Sequence, residues 1–349
     1  METQAIRTNL IGKSRAELMA FAESLGEKPF RGKQLFQWLY GRHIDNFSEI
    51  TSLSAKLRAR LQEIAEIKSL QIVQRQISQR RDAEKFLFAL DDGLRLESVL
   101  MHEGDRHTLC VSSQVGCPID CQFCATGKMG LLRNLSAGEI VNQFLTVQRL
   151  AQQPITNVVV MGMGEPMLNY EELLQACYIL SDEEGPNLAQ KHIVISTSGL
   201  IPKIQRFMQE GHKFRLAISL NATTDEVRER LMPLNRKWPI ADLLAAAKEY
   251  ALASKQLVTF EYVLLAGVND SVNDAKRLRQ LLRDIPCKLN LIPFNAVAEN
   301  FRRPSNDAIE AFYQQLQGLE IPVMIRWSKG DDIDAACGQL WTKAEKSAA

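Results

Sequence analysis

The segment CPIDCQFC, residues 117–124, carries three of the seven cysteines of this 349-residue chain, at spacings of four and three. It comes directly after a β-rich run, residues 107–112, that ends near Ser113. In parallel α/β folds the loops that follow strands carry the chemistry, and three thiolates on so short a loop can converge on one metal centre. The segment therefore predicts a metal-binding loop at the carboxyl edge of a parallel sheet.

From about residue 83 onward, the chain alternates short β-rich runs with helical stretches. Asp91-Asp92-Gly93 separates the first two runs and predicts a β-hairpin. Repeated β-then-α units predict a parallel sheet, open or closed into a full or partial barrel. The predicted strands are residues 84–90, 94–101, 107–112, 157–161, 192–197, 214–220, 257–264, 288–292 and 323–327. The predicted helices are residues 137–151, 170–180, 201–209, 240–253, 273–283 and 306–316.

The first 82 residues are predicted to form a small helical domain, and residues 83–349 the sheet with its linking hairpin and a C-terminal loop. Apolar residues at spacings of three and four predict helices over residues 14–24, 32–40 and 52–64. Ser14 is a predicted N-cap, and either Ser52 or Ser54 caps the third helix. The tail, residues 343–349, is expected to fray.

An aromatic cluster in this N-terminal part has two interpretations. Its members are expected to form the core of the small domain: Leu35, Phe36, Trp38, Leu39 and Tyr40. Four basic side chains surround them, so a basic, base-stacking RNA module stays open: Arg31, Lys33, Arg42 and His43. Residues 1–90 carry a net charge of +5 and the remainder −4, which suits either an anionic partner or an ordinary solvated helical face.

Composition excludes several classes of protein. The chain has 46% apolar and 24% charged residues, with 42 Lys and Arg against 41 Asp and Glu, as expected of a globular protein of about two domains or one barrel with an appendage. No apolar run approaches the roughly 18 residues of a membrane helix, and the start lacks the apolar core of a signal peptide. A cytoplasmic location is expected, where seven cysteines are metal ligands, catalytic thiols and buried residues rather than disulfides.

The cysteine spacing discriminates between metal sites. A structural zinc site needs four ligands and usually pairs two CxxC elements, whereas this chain has one, and none of its five histidines completes a local zinc pattern. A [4Fe-4S] cluster held by Cys117, Cys121 and Cys124, with one iron left open, accounts for three ligands. The spacing CxxxCxxC with an aromatic residue before the last cysteine resembles the radical S-adenosylmethionine (SAM) superfamily, in which the open iron binds SAM. Zinc or a chance grouping is the alternative.

Further blocks make the resemblance narrower. They are SSQVGC at 112–117, CATG at 124–127, MGMGEPMLN at 161–169, ISTSG at 195–199 and DAACGQL at 334–340. Together they resemble the RlmN/Cfr family of radical SAM RNA adenine methyltransferases, over nearly the whole chain. The Cfr group, which methylates adenine C8, shares the cysteines but is less similar over GEPMLN at 164–169, so adenine C2 is the expected target and C8 the alternative.

The resemblance implies a fold, a reaction and partners. The fold is a partial (β/α)6 barrel like a TIM barrel, with an N-terminal helical accessory domain and a hairpin linker. The reaction is methylation of C2 in one adenosine of 23S rRNA and in the adenosine just 3′ of the tRNA anticodon. Adenine C2 is electron-poor and cannot attack the methyl group of SAM, so the family uses a first SAM to methylate a cysteine and a second SAM to form a 5′-deoxyadenosyl radical. The resemblance also implies a flavodoxin- or ferredoxin-type electron donor and a monomeric enzyme.

Three residues match the catalytic positions of the family. Cys337 resembles the cysteine that carries the methyl group, although a lone cysteine beside two alanines is otherwise a buried small residue. Cys110 resembles the thiol that forms a transient disulfide with it, so the two are expected to come within disulfide reach; otherwise Cys110 is core. Glu97 corresponds to the proton acceptor, although strand alternation also permits an outward position. Cys177 and Cys287 are expected in the core.

The SAM contacts can be placed in the same way. Polar or glycine residues that end successive strands resemble the family's SAM-binding positions: Gly164, Glu165, Ser196, Ser219, Leu220, Asn221 and Asn295. Asn221 departs from relatives with histidine there, a change that a backbone contact tolerates. Residues 267–270 are expected to be a turn with a helix cap. The rival from another class is a non-catalytic Fe-S or zinc RNA-binding protein, which would not consume SAM.

Overall fold

The computed structural model describes residues 7–297 and 300–341. Its N-terminal part is a small helical domain in which two short strands pair in parallel. Its elements are β1 (Thr8–Asn9), α1 (Arg15–Ser24), α2 (Phe30–Phe36) with a π-helical turn (Gln37–Gly41), α3 (Ala55–Ile64) and β2 (Ala65–Glu66). The predicted tail at residues 343–349 lies outside the described residues.

Side-chain caps set the starts of these helices. Ser14 and Glu17 form a reciprocal capping box at α1, as predicted. Ser54, not Ser52, caps α3, because its hydroxyl accepts a hydrogen bond from the Leu57 backbone amide at 3.2 Å. Helix α3 therefore begins at Ala55, after the predicted start at residue 52.

The aromatic cluster forms the core of this domain. Tyr40 and Phe36 are buried, and the Tyr40 hydroxyl accepts a hydrogen bond from the Gly12 amide at 2.8 Å. Trp38 is half-buried, with the Arg42 guanidinium 4.4 Å from the centroid of its ring. The interpretation as core is confirmed, and the cluster does not offer a row of free rings for stacking bases.

An antiparallel meander follows the helices and leads into the parallel strands. Its elements are β3 (Gln71–Ile77), β4 (Ala83–Ala89), β5 (Arg95–Glu103) and β6 (Arg106–Cys110). The β4–β5 hairpin turns at Asp91-Asp92-Gly93, as predicted. Strand β3 precedes the predicted boundary at residue 82 and was not expected, because four of its seven residues are Gln or Arg. The division at residue 82 stays a prediction, while the sheet itself begins at Gln71.

The barrel consists of six β-then-α units and a last strand. Its further elements are β7 (Gln114–Cys117), α4 (Ala125–Lys128), β8 (Gly130–Asn134), α5 (Ala137–Leu150), β9 (Asn157–Val160), α6 (Tyr170–Ser181), β10 (Ile193–Thr197), α7 (Ile201–Gln209), β11 (Arg215–Ser219), α8 (Asp225–Leu231), α9 (Ile240–Ser254), β12 (Val258–Leu264), α10 (Val272–Leu282), β13 (Cys287–Pro293), α11 (Asn306–Gln315) and β14 (Val323–Ile325). One ten-stranded sheet has the order β14-β13-β12-β11-β10-β9-β6-β5-β4-β3.

The parallel half of the sheet confirms the predicted partial (β/α)6 barrel. β6 pairs in parallel with β9, and every pair from β9 to β14 is also parallel. Among the described residues β14 and β3 remain the two ends of the sheet, so these pairings do not close it. All the predicted strands and helices are present with small shifts at their ends; the short helix α8 and the β7–β8 hairpin were missed.

The chain after β14 crosses back to the antiparallel meander. The Gln79 amide donates to Asp332 at 2.8 Å, and the Lys85 ammonium donates to the Asp334 carbonyl at 3.3 Å. On the same path the Lys329 ammonium donates to the His102 carbonyl at 2.5 Å. This C-terminal segment, residues 326–341, therefore spans the gap between the last strand of the barrel and β4–β5. No helix among the described residues has the length and apolar character needed to cross a membrane.

Candidate active site

The three-cysteine loop begins one strand later than predicted. β6 ends at Cys110, and the short strand β7 then carries Cys117 as its last residue, so the expectation of a loop directly after the strand near Ser113 is wrong. β7 pairs with β8 in an antiparallel hairpin, and Gly116 has a φ of 77°. A Cβ atom at Gly116 would meet the Gly130 carbonyl oxygen at 1.8 Å, so glycine is required there.

Cys121 and Cys124 lie in the turn that follows β7. The Cys124 amide donates to the Cys121 carbonyl at 3.1 Å, and the Gln122 amide donates to the Leu231 carbonyl at 2.9 Å. Burial raises the pKa of the Cys117 thiol to about 12. Burial also raises the pKa of the Cys121 thiol well above its ordinary value, and repulsion from the Cys124 and Cys117 thiols adds to that rise. The three thiols therefore share one small, poorly solvated region.

The donor set fits an iron–sulfur cluster better than a single ion. Within the described residues, no group of three or more His, Cys, Asp or Glu side chains is arranged to hold one metal ion. A cubane cluster binds each thiolate at a different iron and so needs a wider spacing than one zinc ion does. Cys117, Cys121 and Cys124 are partly exposed as residues, although protein surrounds their thiols and raises their pKa values.

The glycine-rich segment after β9 packs tightly on the segment between β6 and β7. Gly164 has a φ of 104°, and a Cβ there would meet the Gln114 side chain at 2.6 Å. A Cβ at Gly162 would meet the Ser112 hydroxyl at 2.7 Å. The Gln114 side chain also accepts a hydrogen bond from the Glu165 amide at 2.7 Å. Gly162 and Gly164 are therefore required by protein packing as well as by the turn.

Glu165 is a buried carboxylate at this edge, 3% exposed. It accepts hydrogen bonds from the Ser198 amide and the Ser198 hydroxyl, both at 2.7 Å, and from the Met167 amide at 3.1 Å. Burial raises the pKa of Glu165, and these hydrogen bonds oppose the rise. The side chain is therefore held in one orientation between the ends of β9 and β10.

The remaining predicted SAM contacts lie at the ends of β10, β11 and β13. Ser196 and Ser219 are partly buried, Leu220 is fully buried, and the Asn221 side chain accepts a hydrogen bond from the Val263 amide at 2.8 Å. Asn221 has a φ of 58°, a left-handed conformation that asparagine tolerates. Its side chain thus has a structural partner, and residues 267–270 form the predicted turn, with Ser271 capping α10.

Arg228 lies beneath this edge and was not predicted. It is 0% exposed, and its guanidinium donates to the backbone carbonyls of Leu220, Ser198 and Ser219 at 2.8 to 3.1 Å. Burial lowers the pKa of Arg228 to about 10, while the Cys121 thiol nearby opposes the change. One cation therefore fixes the carboxyl ends of β10 and β11; its position on the unpredicted helix α8 left no signal in the sequence.

The loop around Cys337 is seated on the cysteine loop. The Ala125 amide donates to the Gly338 carbonyl at 2.8 Å, and the Thr126 hydroxyl donates to the Leu340 carbonyl at 2.6 Å. The Asn295 side chain donates to the Cys337 carbonyl at 3.2 Å and accepts from the Ser328 hydroxyl. The structure thus brings Cys337 to the predicted cluster loop and to the predicted SAM contact Asn295.

Cys337 and Cys110 lie in the same part of the barrel as free thiols. Cys337 is exposed, yet the surrounding protein raises the pKa of its thiol to about 11, with repulsion from Glu261 and Cys124 added. Cys110 is 8% exposed at the end of β6, and burial raises the pKa of its thiol, with a further contribution from Cys337. The contribution of Cys337 to the raised pKa of Cys110 indicates that the two thiols lie in one region of the barrel; their approach to disulfide distance stays a prediction.

Glu97 is buried within β5, 5% exposed, so the outward alternative is wrong. Its Oε1 lies 3.4 Å from the Lys85 ammonium, and its Oε2 accepts a hydrogen bond from the Trp341 amide at 2.9 Å. Burial raises the pKa of Glu97, and both partners oppose the rise. The C-terminal segment covers the carboxylate, which alternation along one strand could not indicate.

Glu261 is a further buried carboxylate in the barrel, 8% exposed, and sequence reasoning missed it. It lies in register with Ser219 across β11 and β12 and accepts a hydrogen bond from the Asn290 side chain at 2.9 Å. Burial raises its pKa to about 7. Its neighbours in FEYVLL, residues 260–265, are mostly apolar. A charged residue within such an apolar strand is the sequence signal that could have indicated a buried carboxylate. Cys177 and Cys287 are buried in α6 and β13, as predicted.

Comparison with family models agrees with this arrangement. The Radical SAM superfamily model matches residues 111–278, which include the cysteine loop and the strands up to β12. The model for the ribosomal RNA large subunit methyltransferase N-terminal domain matches residues 8–67, the small helical domain. The fold and the three-cysteine loop thus define a radical SAM protein, a class that uses a [4Fe-4S] cluster and SAM.

Relatives of known structure and name cover nearly the whole chain. The structure resembles a radical SAM methyltransferase from Sphaerobacter thermophilus with a TM-score of 0.92 and 44% identity, over 95% of this chain and 99% of that one. The chain is 48% identical to a dual-specificity RNA methyltransferase RlmN of Geobacter sulfurreducens, over 96% of this chain and 92% of the relative. It is 44% identical to the RlmN of Marinobacter nauticus, over 99% and 95%. The chain belongs to the RlmN family.

Proposed function

We propose that this protein is a dual-specificity RNA methyltransferase that methylates C2 of an adenosine in 23S rRNA and in tRNA through a methyl group carried on Cys337. Relatives with that dual specificity in their names match it from end to end. The observation that carries the proposal is the seating of the Cys337 loop on the cysteine loop, through the Gly338 and Leu340 carbonyls. A thiol that must meet both SAM and the base needs this position.

Three thiolates and the strand ends would bind the cofactors. Cys117, Cys121 and Cys124 would hold a [4Fe-4S] cluster and leave one iron open for SAM. When bound, the cluster and SAM would supply the radical chemistry that activates the methyl group on Cys337. The residues proposed to contact SAM are Gly164, Glu165, Ser196, Ser219, Leu220, Asn221 and Asn295. Glu165 is already oriented by Ser198, so a SAM ammonium would meet a fixed carboxylate.

Cys110 and Glu97, on the neighbouring strands β6 and β5, would complete the reaction. Once the methylene carbon is joined to adenine C2, the Cys110 thiolate would attack the sulfur of Cys337. The sulfur–methylene bond breaks, its electron pair passes to the methylene carbon, which takes up a proton to become the methyl group, and a Cys110–Cys337 disulfide is left. Glu97 would accept the C2 proton, a role that its burial and raised pKa support. The Lys85 ammonium, 3.4 Å away, opposes this rise in the pKa of Glu97 and favours the carboxylate form.

The RNA partners and the location follow from family membership. To expose C2, the adenosine has to leave its stack and enter the carboxyl end of the barrel. Electrons would come from a flavodoxin- or ferredoxin-type protein. We infer that the protein acts in the cytoplasm. We also infer a monomer, since one chain supplies Cys110, Glu97 and Cys337.

Product analysis tests the proposal. After anaerobic reconstitution with iron and sulfide, the protein is expected to convert SAM to 5′-deoxyadenosine and S-adenosylhomocysteine in the presence of a reductant and RNA. Mass spectrometry of nucleosides from 23S rRNA and from tRNA should show 2-methyladenosine in both. The 8-methyl isomer would contradict the choice of C2 and indicate Cfr-type chemistry. Absence of 5′-deoxyadenosine would contradict the radical mechanism and favour a non-catalytic RNA-binding protein.

The Glu97→Gln variant tests the proton acceptor. A base must be ionised to act, so single-turnover methylation by the wild-type protein should rise with pH through a pKa above the ordinary value for glutamate. Glu97→Gln is expected to lower the rate by about 100-fold or more and to remove that rise. Glu84→Gln, on the neighbouring strand β4, is the matched control and should keep both the rate and the profile. An unchanged pH profile in Glu97→Gln would refute the role.

A further inference from the structure

A basic cavity lies at the end of the barrel opposite the cysteine loop. Its volume is about 400 Å³, and its lining comes from the amino-terminal ends of four neighbouring strands, β10 to β13. The cofactor-binding candidates all lie at or after the carboxyl ends of β9, β10, β11 and β13. Since β10 and β11 have five residues each, roughly 17 Å of strand separates the two ends. The cavity is therefore not part of the methylation site.

Four cations and no carboxylate line this cavity. The cations are Lys191, Lys213, Arg215 and Lys288, and the other lining residues are Ser254, Gln256, Leu257 and Thr259. None of the four cations forms an ion pair or a side-chain hydrogen bond with any other described residue. Elsewhere on the surface, some arginines contact neighbouring glutamates, as Arg206 and Arg236 do.

One more arginine extends the positive region at this end. The pKa of Arg106 is lowered first by burial and then by repulsion from Arg326 and Arg215, with Glu103 opposing. Arg106 begins β6 and is a neighbour of Arg215, whereas the Arg326 guanidinium donates a hydrogen bond to the Asn290 side chain in the middle of β13. The strands hold these side chains near one another against their mutual repulsion.

A cluster of cationic side chains without acidic partners is typical of a site that binds anions. Lysine and arginine are the usual ligands of phosphate oxygens, arginine through two parallel hydrogen bonds and lysine as a point charge. The hydroxyl of Thr259 and the amide of Gln256 add neutral donors to the same wall. A cavity of this volume accommodates a group the size of a pyrophosphate or a nucleotide.

We propose that the cavity at the amino-terminal ends of β10 to β13 is a binding site for phosphate groups, contacted by Lys191, Lys213, Arg215 and Lys288. Two sources share this chemistry: the backbone phosphates of a bound RNA and a small phosphorylated anion. The site is distinct from SAM binding, and its occupancy does not depend on the identity of the methylated carbon.

Binding of pyrophosphate to the reconstituted full-length protein is the first measurement. Isothermal titration calorimetry at low ionic strength should detect binding to the wild-type chain. The Arg215→Glu/Lys288→Glu variant is expected to bind at least about tenfold more weakly, about 1.4 kcal/mol. Lys248→Glu/Lys276→Glu, with the same charge change on exposed positions of α9 and α10, is the matched control and should bind like the wild type. The neutral Arg215→Gln/Lys288→Gln pair repeats the test with less perturbation of the fold.

The affinity for tRNA at several salt concentrations identifies the source. If RNA phosphates occupy the cavity, tRNA competes with pyrophosphate, and the charge-reversal variant reduces the slope of log K against log salt by about two. If a small anion occupies it, pyrophosphate binding falls in the variant while tRNA affinity matches that of the control. No pyrophosphate binding to the wild type, or equal binding by the variant and the control, would overturn the proposal. The pyrophosphate measurement does not depend on the proposed methylation.

Discussion

Replacing Cys337 with alanine is expected to abolish RNA methylation, with a loss of at least about 10³-fold in either substrate. The loss of a covalent catalytic group has effects on this scale, and the neighbouring thiols Cys110 and Cys124 cannot replace Cys337, since each lies on another element. Methylation is measured as transfer of labelled methyl from SAM to tRNA and to an rRNA fragment.

Controls separate this effect from loss of the cofactor or of the fold. The variant should retain the visible absorbance of the iron–sulfur cluster, because its three ligands are unchanged. Cys177→Ala and Cys287→Ala remove thiols that are buried in α6 and β13. Both should methylate RNA at nearly the wild-type rate, with only a small loss of stability. A Cys337→Ala variant that still methylates RNA would refute the assignment.

The Cys110→Ala variant should trap RNA covalently on the protein. Without the second thiol, nothing releases the methylene bridge that joins the sulfur of Cys337 to the adenine. A denaturing gel should show a protein–RNA band that persists in reductant, because the linkage is a thioether. The yield should approach one RNA per active protein.

The double variant Cys110→Ala/Cys337→Ala is the control for this trap. It should give no covalent band, since the attachment site is gone. Peptide mass spectrometry of the trapped species should locate the added nucleotide on Cys337. A Cys110→Ala variant that turns over normally, with no attached RNA, would show that Cys110 does not resolve the intermediate.

The barrel was predictable because its signals are local. Alternation of β-rich and helical segments indicated the parallel strands, and three cysteines within eight residues indicated the cluster loop. The β7–β8 hairpin was missed, since the four residues of β7 end in a glycine and a cysteine and resemble a loop. Such a strand exists only because β8 supplies its hydrogen bonds.

The burial of the site residues depends on contacts between distant parts of the chain, which local sequence patterns do not show. Glu97 is buried because the C-terminal segment covers it, and one strand's alternation carries no information on that cover. The positions of Arg228 and Glu261 in the site depend on which strands become neighbours in the sheet. The basic cavity was hidden by the net charge of −4 beyond residue 90, because an average over a domain does not show where cations collect.

The C-terminal segment also affects when the cysteine loop can be completed. Ala125 and Thr126, beside Cys124, are held by carbonyls of Gly338 and Leu340. Synthesis of the chain runs from the N-terminus, so Cys117, Cys121 and Cys124 are made long before those carbonyls. We therefore expect stable insertion of the proposed cluster to wait until the C-terminal segment, which also carries Cys337, has been synthesised.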